Sequence, residues 1–191
     1  MLWTLIIIGV IVVVLLFLVV GAYNRLVTLD QNADQAFADI DVQLKQRQDL
    51  IPNLVETVKG YATHERGTLE AVIQARNAAT QATSVNDKVQ AENMLTGALG
   101  RLFALSEAYP DLKANTNFQQ LQAELSDIEN KLAAARRFFN NAVGEFNSVR
   151  RQFPTVLFAG LVGFGSDKPF FDVGDDARAA MNEAPPQVSF S

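Results

Sequence analysis

The chain has 191 residues, a formal net charge of −5 and a pI near 4.9, with 49% apolar residues and no cysteine. Its length suits one domain plus an anchor. The acidic balance excludes the basic footprint that nucleic-acid binding requires, and the missing cysteines exclude disulfides and thiolate metal sites.

The first 24 residues carry no charged side chain, and Leu5 to Val20 is almost unbroken Leu, Ile, Val and Phe. Trp3 and Tyr23 bracket the run twenty residues apart, about 30 Å as a helix, which matches the hydrocarbon thickness of a bilayer. Aromatic rings suit the two interfaces. Residues 1–24 therefore read as a transmembrane helix marked by Trp3, Leu5, Val20 and Tyr23. A cleaved signal peptide is the rival reading, because Val20 and Ala22 suit the −3 and −1 positions before Tyr23. Against it stand the absence of a basic leading region and the length of the apolar core. Arg25 follows the run directly and no Lys or Arg precedes it. The positive-inside rule then puts the N-terminus outside and the rest of the chain in the cytoplasm.

Beyond Arg25 an apolar rhythm of alternating threes and fours begins. Its first run is Ala33, Phe37, Ile40, Leu44, Arg47, Ile51, Leu54, Val58 and Tyr61. Its last run goes from Phe118 through Leu125, Leu132, Phe139 and Phe146 to Phe153. This period is that of a left-handed coiled-coil or bundle seam. Pro52 lies inside the first run without changing its phase, so the spacing predicts a kinked but continuous helix, with a break at Leu50 or Ile51 as the alternative. Arg47 is the one charged seam position. It is expected to meet a carboxylate of a facing helix, or to lie at the bundle edge, and is the candidate register residue.

Two shorter helices are expected between the seams. Residues 65–83 carry Leu69, Val72, Ile73, Arg76 and Ala79, and residues 86–109 carry Leu95, Leu99, Leu102 and Phe103. Ser84 to Asp87 forms a turn-like start, Pro110 ends the third helix, Asn115 or Thr116 caps the fourth, and Pro154 closes it. Four amphipathic helices over residues 25–154 predict an all-α, antiparallel four-helix bundle. Residues 155–191 form an irregular tail, apolar and glycine-rich and then acidic, with mobility expected beyond Gly174. Val156, Leu157, Phe158, Leu161 and Phe164 either cover a groove of the bundle, bind a neighbouring subunit or lie in the membrane interface.

Little here points to catalysis. His64 is the sole histidine, so the histidine pairs of zinc peptidases and di-iron bundles are absent. Gly160, Gly163 and Gly165 before Ser166 and Lys168 miss the spacing of a phosphate loop. Asp30, Asp34, Asp39, Asp41 and Asp49 describe solvent-facing sides of a helix. No enzyme activity, cofactor or metal is expected. Phe138, Phe158, Phe164, Phe170 and Phe171 are candidate interaction residues, each with core or groove filling as its plainer role.

The run from Ile40 to Ala62, with Pro52-Asn53 and Gly60-Tyr61 in it, resembles the LemA family. So do His64-Glu65, Leu69-Glu70, Ala75-Arg76, Tyr109 to Asn115, Tyr23-Asn24, Ala135-Arg136 and Phe139-Asn140, although Phe139 and Phe146 stand where members often have tyrosine. The resemblance implies a bacterial single-pass membrane protein with a short outer N-terminus and a helical bundle. It implies no established enzyme activity, and it carries links to membrane organisation, including magnetosome formation. It also implies TPM-domain proteins or M48-type peptidases as possible partners. The expected function is a self-associating membrane scaffold, a homo-oligomer that recruits other membrane proteins. The alternative is a monomeric adaptor or regulator of a membrane enzyme.

Overall fold

A computed structural model describes residues 1–62 and 64–171. The described chain is helical and has no strand among those residues: α1 (Leu2–Lys59), α2 (Arg66–Gln81), α3 (Val85–Ser106), α4 (Pro110–Lys113) and α5 (Thr116–Arg151), then a 3-10 turn at Thr155–Leu157. Two compact units are present. The first holds Met1–Leu50 with Leu121–Phe170, and the second holds Ile51–Gln120 with Phe171.

The apolar run and the first seam form one helix. Nothing between Ala22 and Arg25 breaks it, and Pro52 lies inside it without ending it. Its N-terminal stretch is the one helix among the described residues that is long and apolar enough to cross a membrane, and none of that stretch is buried. Along the seam Ala33, Ile40, Leu44, Arg47, Ile51, Leu54 and Val58 are buried, and Phe37 is half-buried. Tyr61 is 41% exposed instead, because the helix has already ended at Lys59.

In the first unit α1 and α5 run antiparallel. Phe37 faces Phe139 with ring centroids 5.4 Å apart, and Arg47 lies 3.0 Å from Glu129. Ten residues along one helix thus match ten residues back along the other. Phe153, expected at the end of the second seam, is 79% exposed because α5 stops at Arg151.

In the second unit α2 and α3, joined by residues 82–84, pack against each other as a helical hairpin. Leu69, Val72, Ala75 and Ala79 bury one face of α2, while Ile73 lies outside it at 41% exposure. Ala91, Leu95, Ala98, Leu99 and Leu102 bury the facing side of α3. Ser84 caps α3: its hydroxyl accepts from the Asp87 amide at 3.1 Å and donates to the Asp87 carboxylate at 2.6 Å. The third helix ends at Ser106, before Pro110, which opens the single turn of α4. Asn115 caps α5, its Oδ1 accepting from the Phe118 amide at 3.0 Å. The expected mobility beyond Gly174 concerns residues outside those described.

Candidate interaction surfaces and the apolar helix

Trp3, Leu5 and Val20 stand 76%, 68% and 54% exposed along α1. So large an apolar surface is stable only against something equally apolar. Tyr23 begins the change of environment. Its ring lies 6.5 Å from Phe164, and one turn later Leu26 and Leu29 join Phe146, Val149 and Ala159 in a buried cluster.

The five candidate phenylalanines are not alike. Phe138 is 58% exposed on α5 and Phe170 is 49% exposed, with its ring edge beside Gly144. Phe164 is half-buried, packs against that cluster and stands 5.9 Å from Phe146. Phe158 is also half-buried. Phe171 is buried at 3% exposure and offers no contact surface in this conformation. Groove filling therefore describes Phe164, while exposure persists at Phe138 and Phe170. Of the other apolar tail residues, Val156, Leu157 and Leu161 remain exposed.

Arg47 is 4% exposed, and Glu129 of the facing helix supplies the expected carboxylate. Arg136 reaches the other oxygen of Glu129 at 3.9 Å. One carboxylate thus sits between two guanidinium groups within the seam, a polar layer that the apolar pattern alone did not reveal. Glu92 on α3, also unremarked in the pattern, is buried at 2% exposure.

A second arrangement absent from the sequence reading fastens the tail to the first unit. Asp167 pairs with both Arg150 and Arg151. The Lys168 ammonium lies 2.6 Å from Asp34 and 2.9 Å from Asp30, so two of the five carboxylates read as solvent-facing hold the tail instead. Asn147 completes the clasp: its amide nitrogen donates to the Lys168 carbonyl at 3.0 Å, and its Oδ1 accepts from the Lys168 amide at 2.9 Å. Burial alone would lower the Lys168 pKa. Hydrogen bonds to Asp34 and Asp30, with the charges of both, outweigh that and raise it above 10.5.

The segment from Tyr109 to Asn115 is tied into the second unit. Tyr109 donates to Glu65 at 3.3 Å, and the Asn115 amide donates to the Tyr61 hydroxyl at 2.9 Å. Partial desolvation, then the charge and hydrogen bond of Glu65, raise the Tyr109 pKa above 10.0. Asp111 and His64 remain exposed. Among the described residues no group of three His, Cys, Asp or Glu side chains is placed to share a metal ion.

Comparison with known proteins places these features in a family. Over 168 aligned residues the chain is 22% identical to the magnetosome protein MamQ of Magnetospirillum gryphiswaldense, covering 74% of this chain and 62% of that protein. It is 27% identical over 133 residues to the protein LemA of Metamycoplasma hominis, covering 69% of this chain and 61% of that protein. Magnetosome protein MamQ 2 of Paramagnetospirillum magneticum is 21% identical over 168 residues, covering 74% and 62%. The chain thus spans about three-fifths of the length of these relatives. Residues 36–190 match the LemA family, and the chain belongs to it.

Proposed function

We propose that this protein is a membrane-anchored scaffold: α1 crosses a bacterial inner membrane once, and the helices beyond it self-associate and recruit other proteins without catalysing a reaction. The observation that carries the reading is the union of a wholly exposed apolar stretch of α1 with exposed aromatic side chains, Phe138 and Phe170, in the same unit. Confining copies to one membrane raises their effective concentration, so contacts too weak to matter in solution become sufficient. The similarity to proteins named for the magnetosome supports a part in an assembly.

The region beyond the span is, in this reading, an antiparallel four-helix bundle. The antiparallel α1 and α5 of one unit and the α2–α3 hairpin of the other support it. The absence of a basic leading region and the length of the apolar core favour a retained span over a cleaved leader. Arg25 at the end of the apolar run favours the N-terminus outside and the helical units in the cytoplasm.

The deciding experiment is the detergent-corrected mass of the gently solubilised native protein by light scattering. The scaffold predicts a homogeneous homo-oligomer that Phe138→Ser disperses without lowering the unfolding temperature. A monomer, or a single copy bound to a different protein, would sink it. That second outcome would favour an adaptor or regulator of a membrane enzyme, such as a TPM-domain protein or a peptidase, for which the exposed Asp111 in the turn before α5 offers a contact.

A further inference from the structure

The constant register of α1 against α5 fixes where the chain turns back. Fourteen residues before Phe37 lies Tyr23, and fourteen residues after Phe139 lies Phe153. The cluster of Leu26 and Leu29 with Phe146, Val149 and Ala159, and the Tyr23–Phe164 contact, keep the two strands of chain level to that point. The segment after Phe153 therefore reverses beside Tyr23, where the exposed apolar run of α1 ends.

Its composition fits that place. No charged residue occurs from Phe153 to Gly165. Phe153, Val156, Leu157, Leu161 and Val162 are 79%, 52%, 68%, 88% and 40% exposed. In water that surface would be a liability. A loop that leaves water must also satisfy its own backbone, and this one does so largely within itself. The amides of Leu157, Phe158, Ala159, Leu161, Val162 and Phe164 all donate to carbonyls between Pro154 and Ala159. Near the same level Arg25 and Arg151 keep exposed side chains beside Glu145 and Asp167, and their length suits a headgroup layer.

We propose that residues 153–162 form a second membrane contact, an apolar wedge lodged in the interfacial layer of the bilayer that α1 crosses. The occupant is lipid, because the wedge lies beside the lipid-facing helix and shares its lack of charge. Each copy is then held at two points, which fixes the direction in which the helices leave the membrane. The inference rests on α1 being a membrane span, and the test separates the two.

The chain has no cysteine, so single cysteines can be placed at will. Leu161→Cys, Leu15→Cys and Val42→Cys each replace an exposed side chain. The last lies about 28 Å beyond Tyr23 along the same helix. Each full-length variant, labelled with a polarity-sensitive fluorophore, is reconstituted into vesicles of phosphatidylethanolamine and phosphatidylglycerol. It is then challenged with spin-labelled lipid and with aqueous iodide. The wedge predicts lipid quenching at Leu161 close to that at Leu15 and several-fold above Val42, with iodide acting in the reverse order. If Leu15 is lipid-quenched while Leu161 responds only to iodide, the wedge is wrong and the span stands. Shielding of Leu161 from both quenchers, lost when the protein is diluted in lipid, would overturn the wedge in favour of a contact between copies. Failure of lipid to quench Leu15 would remove the span and the wedge with it.

Discussion

Arg47 carries a charge where its neighbours in the seam are apolar, and the net effect on stability depends on what is removed. Deleting Glu129 takes a carboxylate at 3.0 Å away from a guanidinium at 4% exposure. Glu129 itself is 41% exposed, so water moderates the loss. Glu129→Ala should therefore cost about 1–3 kcal/mol, read from thermal unfolding followed by circular dichroism. Arg47→Leu removes the buried charge instead and should leave stability within about 1 kcal/mol of the parent, or raise it. If the arginine sets helix register, that variant keeps its unfolding temperature but scatters as a mixture of masses. Native assembly with increased stability would show that register is set elsewhere. Phe164 tests the tail at the same scale. Its half-buried ring meets Tyr23 and Phe146, so Phe164→Ala should cost about 1–3 kcal/mol, less than a fully buried ring.

The tail is held as an element by Lys168 and Asp167, and its pH dependence follows from the raised Lys168 pKa. A cation whose pKa is higher folded than unfolded lends stability that is complete below the unfolded value and disappears as pH rises through the folded one. From neutral pH upward the clasp should therefore hold to about pH 10.5 and weaken above it. Lys168→Met should lower stability by about 1 kcal/mol at neutral pH, since the group is partly exposed. The gap between variant and parent should close in alkali. Tyr109 ionises in the same direction in both proteins and cancels from the difference. A gap that persists undiminished above the folded pKa would assign the stabilisation to packing on the Phe146 ring, 5.6 Å from the ammonium. None of this was legible in the sequence, because Lys168 and Asp34 are 134 residues apart and no periodicity connects them. The helices were legible, because a seam repeats its signal at every turn. Their ends were less so: the phase of the second seam runs on to Phe153, and only the loss of helix after Arg151 turns that residue outward. Of the candidate contact residues, the pattern could name the phenylalanines but could not distinguish Phe138, which stays exposed, from Phe171, which is buried.

At the scale of the whole molecule, the proposed anchor changes which concentration governs association. Copies held in a bilayer meet in a thin layer, and contacts of the kind Phe138 and Phe170 could make respond to the number of copies per area of membrane. Their number per volume of solution then has little influence. Two dilutions separate these quantities. Adding buffer to loaded vesicles lowers the volume concentration and leaves the surface density unchanged. Adding lipid during reconstitution lowers the surface density at fixed volume concentration. With donor and acceptor dyes on Val42→Cys, a position 51% exposed and well beyond the span, energy transfer between copies reports association in both series. A scaffold of this design keeps its transfer through the first dilution and loses it through the second, and Phe138→Ser shifts the loss to higher surface density. Transfer at the level expected for randomly placed copies at every lipid ratio would mean that the helices meet no second copy. The exposed aromatics would then have to face a different protein, and the adaptor reading would stand in place of the scaffold.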